Sequence, residues 1–566
     1  MLCISLCNRV KRMARFPPLA SGALLLLLFV LVSPCRSAAG GRPRAVVLPV
    51  SKDDATQQYV TVFRQRTPQV PVKAVLDLAG ATLWVDCDTG YVSSSYARVP
   101  CGSKPCRLTK TGGCFNSCFG APSPACLNGT CSGFPDNTVT RVTAGGNIIT
   151  DVLSLPTTFR TAPGPFATVP EFLFTCGHTF LTEGLANGAT GMVSLSRARF
   201  AFPTQLARTF GFSRRFALCL PPASAAGVVV FGDAPYVFQP GVDLSKSSLI
   251  YTPLLVNAVR TAGKYTTGET SIEYLIGLTG IKVNGRDVPL NATLLAIDKN
   301  GVGGTTLSTA SPYTVLENSI YKAVIDAFAA ETATIPRVPA VAPFELCYDG
   351  RKVGSTRAGP AVPTIELVLQ REAVSWIMYG ANSMVPAKGG ALCLGVVDGG
   401  PALYPSSVVI GGHMMEDNLL EFDLEGSRLG FSSYLPSPSA VLLPVDKDGA
   451  TQQYVTMFWQ RTPSVPVKAV VDLSGAMLWV DCESGYESSS YARVPCGSKP
   501  CRLAKSAACA TGCSGAASPG CLNDTCTRFP EYTITRVSTG GNIITDKLSL
   551  YTTCRPMPVR ALPRAG

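Results

Sequence analysis

Val75-Leu-Asp-Leu-Ala-Gly-Ala-Thr-Leu-Trp-Val85 and Gly303-Gly-Thr-Thr-Leu-Ser-Thr-Ala-Ser-Pro-Tyr-Thr-Val-Leu316 are the two stretches that decide the fold. In the first, an apolar run delivers a carboxylate, Asp77, into a loop of small residues, and a second apolar run leaves through Leu83-Trp84-Val85. The second stretch repeats that layout with Ser308 in the loop. Short β-branched and aromatic runs bounded by Gly, Pro and charged turns read as strands, and Tyr59–Phe63, Val72–Leu78 and Thr82–Cys87 are such runs. Helix-like apolar spacing is confined to Thr204–Phe210 and Ile320–Glu331. The expectation is an all-β, two-lobed body.

A repeat organises the chain around this pattern. Residues 46–155 recur at 441–550 with a constant offset of 395, and 79 of the 110 aligned positions are identical without a gap. A long unit seen twice is a duplicated half-domain, not a solenoid period. Asp77 maps to Asp472 and Trp84 to Trp479, while from Tyr551 the sequence departs from the first copy.

Composition places the chain among folded proteins of an oxidising compartment. With 566 residues it exceeds one compact core. The net charge of +12 favours anionic partners, but Lys and Arg form no dense run, which argues against nucleic acid. Lys11, Arg12 and Arg15 precede an apolar run from Ala23 to Val32 and small residues Ser37, Ala38 and Ala39. This pattern reads as a secretory signal over residues 1–39, and Met13 would serve as well as a start. The apolar run is short of the ~20 residues a membrane span needs, so no membrane is expected after cleavage. Seven cysteines crowd together (Cys87, Cys101, Cys106, Cys114, Cys118, Cys126 and Cys131) without C-x-x-C pairs or nearby His, which points to disulfides and not to zinc. Asn128, Asn291 and Asn523 head N-x-Thr sequons and are candidate glycan acceptors. No cofactor motif is present; Gly303-Gly304 lacks the Lys-Ser/Thr of a phosphate cradle.

The two loops resemble those of pepsin-like aspartic proteases. Further matches follow in order: Phe174-Thr-Cys-Gly177, Gly188-Ala-Thr-Gly-Met-Val-Ser-Leu195, Val409-Ile-Gly-Gly412 and Arg428-Leu-Gly-Phe431. With the signal over 1–39, the partial repeat over 436–550 and the tail over 551–566, expected to be unstructured, read from the sequence itself, the resemblance implies an N-terminal lobe over 40–215 and a C-terminal lobe over 216–435, of which the repeat is a truncated N-terminal copy. That chemistry needs two Asp sharing one proton, with mutual repulsion splitting their pKa values. Here the loops read Asp77-Leu78-Ala79 and Ser308-Thr309-Ala310. The second carboxylate is replaced by Ser308, and Asp472 in the duplicate has no facing lobe. No catalytic residue is therefore expected. Asp88-Thr89-Gly90 spells the catalytic tripeptide but follows the Leu-Trp-Val strand, and is read as a turn. His178 and His413 are read as ordinary loop residues.

Within that family, Leu83-Trp-Val-Asp-Cys87, Ser311-Pro-Tyr-Thr-Val-Leu316 and Gly411-Gly-His-Met-Met-Glu-Asp-Asn418 resemble a plant branch. It comprises basic 7S globulins, extracellular dermal glycoproteins, and inhibitors of microbial xylanases and xyloglucanases. The resemblance implies a secreted apoplastic protein whose partner is a microbial glycoside hydrolase. Arg357, in Ser355-Thr-Arg-Ala-Gly-Pro360, matches an Arg that enters the target's cleft. A second inhibitory residue should follow Leu429-Gly-Phe-Ser432, but Ser433-Tyr-Leu-Pro-Ser-Pro-Ser439 and the repeat stand there. Three functions compete: hydrolase inhibitor, storage or general-binding globulin, and active peptidase. Residues 45–435 hold eleven cysteines, so one must be free or bridge to the second copy or its Cys554 tail; the resemblance places the missing partner in the lost tail.

Overall fold

The computed structural model describes residues 43–552 except 112, 160–161, 223–224, 234–236, 240–241, 244–248, 260–269, 357, 371–373, 401–405, 433–440, 443–444, 464, 474–476, 484, 507, 516–517, 530 and 550. The signal, Arg357, the linker 433–439 and the tail beyond Thr552 therefore lie outside the described residues.

The N-terminal half begins with β1 (Ala45–Lys52), β2 (Tyr59–Gln65), β3 (Val70–Asp77) and β4 (Trp84–Asp86). It continues with a long hairpin, β5 (Gly146–Phe159) and β6 (Ala162–Gly177), and with β7 (Gly191–Ser194). β7 runs parallel to β3, pairing Met192 with Val75 and Ser194 with Asp77. It lies antiparallel to β4, which is itself parallel to β6. Both active-type loop and strands are thus clamped between neighbours, which is why Val75, Leu76 and Asp77 are all but inaccessible.

After α1 (Phe202–Phe210), β8 (Arg215–Cys219) and β9 (Ala226–Gly232), the C-terminal half repeats that pairing pattern. Its loop joins β10 (Thr305–Leu307) to β11 (Thr314–Leu316) and precedes α2 (Asn318–Glu331). β12 (Val396–Asp398) runs parallel to β11. β13 (Val408–Ile410) is parallel to β10 and antiparallel to β11. The two halves therefore present one motif twice. α3 (Gly412–Met415) and β14 (Leu419–Asp423) follow. β1 pairs with β9, β9 with β8, and β8 with β14, so one antiparallel sheet draws strands from both halves. Phe216 stacks on Phe422 across that seam with ring centroids 4.6 Å apart, a contact worth about 1 kcal/mol beyond its area.

The expected elements are found with shifted ends. α1 starts two residues early because Pro203 suits a first turn. α2 begins at Asn318 because the Glu317 carboxylate accepts from the backbone N–H of Ser319 (2.9 Å) and Ile320 (3.3 Å). Ile320, Tyr321, Val324 and Phe328 form its buried face.

The duplicate forms a separate four-stranded sheet from β15 (Val445–Lys447), β16 (Tyr454–Gln460), β17 (Val465–Val470) and the strand Leu548–Ser549, which pairs with β16. Residues 479–481, counterparts of β4, are not a strand. The first copy's β4 is held by β6 and β7; the duplicate has no described equivalents of either. It meets the main body where the backbone of Tyr551 pairs with Ala226 and where Lys547 Nζ lies 2.9 Å from an Asp54 carboxylate oxygen.

Candidate functional site

The two loops meet at the centre of the molecule, held by one threonine. Thr309 Oγ1 donates to the Leu76 carbonyl (2.8 Å) and accepts from the Leu78 N–H (3.2 Å). Backbone bonds also tie each loop to its neighbouring strand: Leu195 N–H donates to the Asp77 carbonyl (2.7 Å), and Ser308 N–H donates to the Ile410 carbonyl (3.0 Å). Leu78 occupies the position equivalent to Thr309 and offers no hydroxyl for the reciprocal pair. Sequence reading singled out Ser308 but gave Thr309 no role, because a cross-loop bond between residues 231 positions apart has no local signal.

Asp77 turns its carboxylate into its own loop. Oδ1 accepts from the Ala79 N–H and Oδ2 from the Gly80 N–H, both at 2.8 Å. Gly80 is needed there, since a Cβ would sit 2.7 Å from Oδ2. Burial pushes the Asp77 carboxyl up to about 6, against the two amides, which favour the charged form. Ser308 Oγ plays the corresponding part in its loop, accepting from the Ser311 N–H (3.2 Å). Asp472 in the duplicate is exposed and accepts from Thr533 Oγ1 (2.9 Å).

A second buried cluster, absent from the sequence reading, links the halves. Glu416 Oε1 accepts from Tyr59 Oη and from Lys52 Nζ, both at 2.7 Å. Its Oε2 lies 3.0 Å from His413 Nδ1, and His413 Nε2 lies 3.1 Å from the Met384 carbonyl. Both ring nitrogens of His413 thus face oxygen atoms. Despite its burial, Glu416 is held below the usual carboxylate range by His413 and Lys52. Neighbouring Asp417 is pushed up to about 7 by burial and by the Glu416 charge. His413 is therefore no loop residue: it sits buried on α3. His178 stays half-exposed, 3.1 Å from an Asp88 carboxylate oxygen and 3.1 Å from the Gly145 carbonyl.

The cysteines pair as Cys87–Cys176, Cys101–Cys114, Cys106–Cys131, Cys118–Cys126 and Cys347–Cys393. Cys219 is also disulfide-bonded, to a partner outside the described residues. The duplicate repeats three of these bonds, Cys496–Cys509, Cys501–Cys526 and Cys513–Cys521. Cys482 is a free thiol because it matches Cys87, whose partner Cys176 lies beyond the repeated stretch. Among the sequons, Asn128 is exposed but exchanges two hydrogen bonds with the Cys118 backbone, and Asn523 does the same with Cys513. Asn291 accepts from Thr293 Oγ1 (2.8 Å) and is exposed. Arg357 is outside the described residues; paired Ser355–Thr356 and Gly359–Pro360 flank it, beside an open groove of roughly 400 Å³ lined by Gly350, Val353, Pro386 and Leu392.

Two matched strand–loop–strand motifs facing each other through Thr309 define a bilobed pepsin-like fold. The chain belongs to the xylanase-inhibitor family of that fold: the family's N-terminal model matches residues 59–233 and again 454–564, and its C-terminal model matches 273–433. It is 49% identical over 414 residues to "Probable aspartic proteinase GIP2" of Nicotiana benthamiana, covering 73% of this chain and 94% of that protein. It is 35% identical to the basic 7S globulin of Glycine max, covering 69% of this chain and 88% of that one. Among solved structures it resembles that of edgp, with a TM-score of 0.68 at 49% identity over 70% of this chain and 96% of that one. Among the described residues, no helix is long and apolar enough to cross a membrane and no acidic, His and Cys cluster could hold a metal.

Proposed function

We propose that this is a secreted pepsin-fold protein without peptidase chemistry that binds and inhibits a microbial cell-wall glycoside hydrolase. The observation that carries the reading is the pair of loops. Peptide hydrolysis on this fold needs two carboxylates sharing a proton, and here Asp77 faces a loop bearing the Ser308 hydroxyl. The Asp77 oxygens are already engaged by two amides. The family's matching description is that of xylanase inhibitors, which supports a hydrolase as partner.

Arg357 is the proposed contact. Retaining glycosidases hold two carboxylates ~5–5.5 Å apart in an open cleft. A guanidinium presents a planar fork of donors and keeps its charge in acid. The net charge of +12 adds attraction to an acidic enzyme. The relatives named conglutin and 7S globulin favour a second reading, a binding or storage globulin. A binding screen of the mature protein against fungal xylanases and xyloglucanases, beside an acid peptidase assay with and without pepstatin, decides among them. Hydrolase binding without cleavage is expected. Binding to no wall hydrolase moves the protein to the globulin reading, and pepstatin-sensitive cleavage overturns both.

A further inference from the structure

Each copy of the repeat carries an exposed cationic helix on a disulfide-stapled module. From Thr89 to Pro135 the chain holds Arg98, Lys104, Arg107 and Lys110 and no Asp or Glu. The short helix Lys104–Thr109 starts where Ser103 Oγ accepts from the Cys106 N–H (3.3 Å). The Cys101–Cys114 and Cys106–Cys131 bonds tie it to the paired strands that hold Cys114 and Cys131. The duplicate rebuilds it as Lys499–Leu503, capped by Ser498 and tied by Cys496–Cys509 and Cys501–Cys526. Lys104, Arg107 and Lys110 are exposed, as are Lys499, Arg502 and Lys505, and none of the six forms an ion pair among the described residues. Residues three apart on a helix share a face, so Lys104 stands beside Arg107, and Lys499 beside Arg502. Arg107 donates to the Gly102 carbonyl and Arg502 to the Gly497 carbonyl, which anchors each guanidinium and leaves it further donors. Lys110 and Lys505 follow the helices in left-handed backbone, with φ of 54° and 50°. Glycine takes that conformation most readily, so both copies hold a lysine where backbone energy favours glycine.

We propose that the two helices bind a linear acidic polysaccharide, a polyuronate with one carboxylate on each sugar. The ligand class follows from what the duplication doubles. The three helix cations recur one for one, whereas Phe115 and Phe119 are matched by Ala510 and Ser514. Single-stranded nucleic acid is held by aromatic stacking, and a protein partner by an apolar centre of contacts; the second module repeats neither aromatic. Rows of exposed cations suit a repeating carboxylate, and a long polymer that engages both modules gains by linkage. This surface is separate from the Arg357 loop and does not depend on the hydrolase reading.

The test is titration calorimetry of the full mature chain with de-esterified polygalacturonate, beside its fully methyl-esterified form and an oligothymidylate. Saturable, salt-weakened binding to the free-acid polymer is expected, in preference to the other two. Joint Lys110→Gly and Lys505→Gly changes remove one charge from each module and supply the residue that left-handed backbone favours. They should weaken binding roughly fivefold or more while the protein melts no lower than the wild type. Joint Lys104→Gln and Lys499→Gln changes, which leave those positions alone, should weaken it alike. Joint Lys299→Gln and Lys322→Gln changes remove the same charge from exposed sites elsewhere and should leave affinity unchanged. The proposal is overturned by a wild type that does not bind the free-acid polymer, or by equal binding of the esterified form. Equal or tighter binding of oligothymidylate overturns it too, as does wild-type affinity in either helix variant or an equal loss in the Lys299 and Lys322 control.

Discussion

The cluster around Glu416 gives a sharp test of how the halves are held. Lys52 Nζ and Glu416 have only 6% and 4% of their side chains exposed, so surface screening does not apply. Glu416→Gln would strand the Lys52 ammonium without a counter-charge and deprive His413 Nδ1 of its carboxylate. Breaking a buried pair from one side costs about 3–5 kcal/mol. Lys52→Met leaves Glu416 with His413 and Tyr59, so a loss at the low end of that range, ~3 kcal/mol, is expected. Unfolding entropy of about 2.1 cal/mol/K per residue, taken over the roughly 390 residues from Ala45 to Ser432, puts ~3 kcal/mol at a Tm shift of about 4 °C. The double variant should fall short of the summed losses by about 1–3 kcal/mol. Glu416 keeps its charge in the folded state at a pH where the unfolded chain, near 4.5, takes up a proton. Its contribution is thus present above that pH and lost as pH falls through the depressed folded value. Wild type and Glu416→Gln should converge in acid. Thermal melts of the four proteins over a pH series supply the data. Additive losses, or a gap that widens in acid, would refute the reasoning.

Asp77 should act in the opposite direction. Its folded pKa of about 6 lies above the unfolded 3.8, so stability rises as pH drops from above 6 to below 3.8, by about 3 kcal/mol in all; the rise should vanish in Asp77→Asn melts. Ser308→Asp alone should not create a peptidase, because Ala79 and Ala310 stand where the resemblance implies glycines and Leu78 lacks the reciprocal hydroxyl; pepstatin-sensitive cleavage by that variant would contradict this. Peptide mapping without reduction should find no free thiol within residues 45–435, with Cys219 bridged to Cys554; a Cys219 thiol would sink that assignment.

Much of this molecule was legible in its sequence, for reasons that differ by element. The Asp77 and Ser308 loops were found because strand, small-residue loop and strand are contiguous. The duplication was found because identity needs no structure. The free thiol was not foreseen: parity counting over residues 45–435 concerned the first copy, whereas the unpaired cysteine, Cys482, lies in the second. Lys52 and Glu416 were missed because 364 residues separate them, and neither residue type at its place differs from a surface charge until the halves close over it. Thr309 was passed over for the same reason. The tripeptide at Asp88 was set aside on its position after the strand, and its carboxylate indeed binds the Thr179 N–H (3.1 Å) and His178.

The account stands most directly on binding. Titration calorimetry of the wild type and Arg357→Ala against a microbial xyloglucanase, at low and high salt, tests it in one experiment. Saturable binding by the wild type is expected, weakened by salt and weakened by ~2–4 kcal/mol in Arg357→Ala, as truncating a buried interfacial charge does. Equal affinity of the two proteins would remove Arg357 from the contact, and no heat of binding with any wall hydrolase would contradict the inhibitor reading itself.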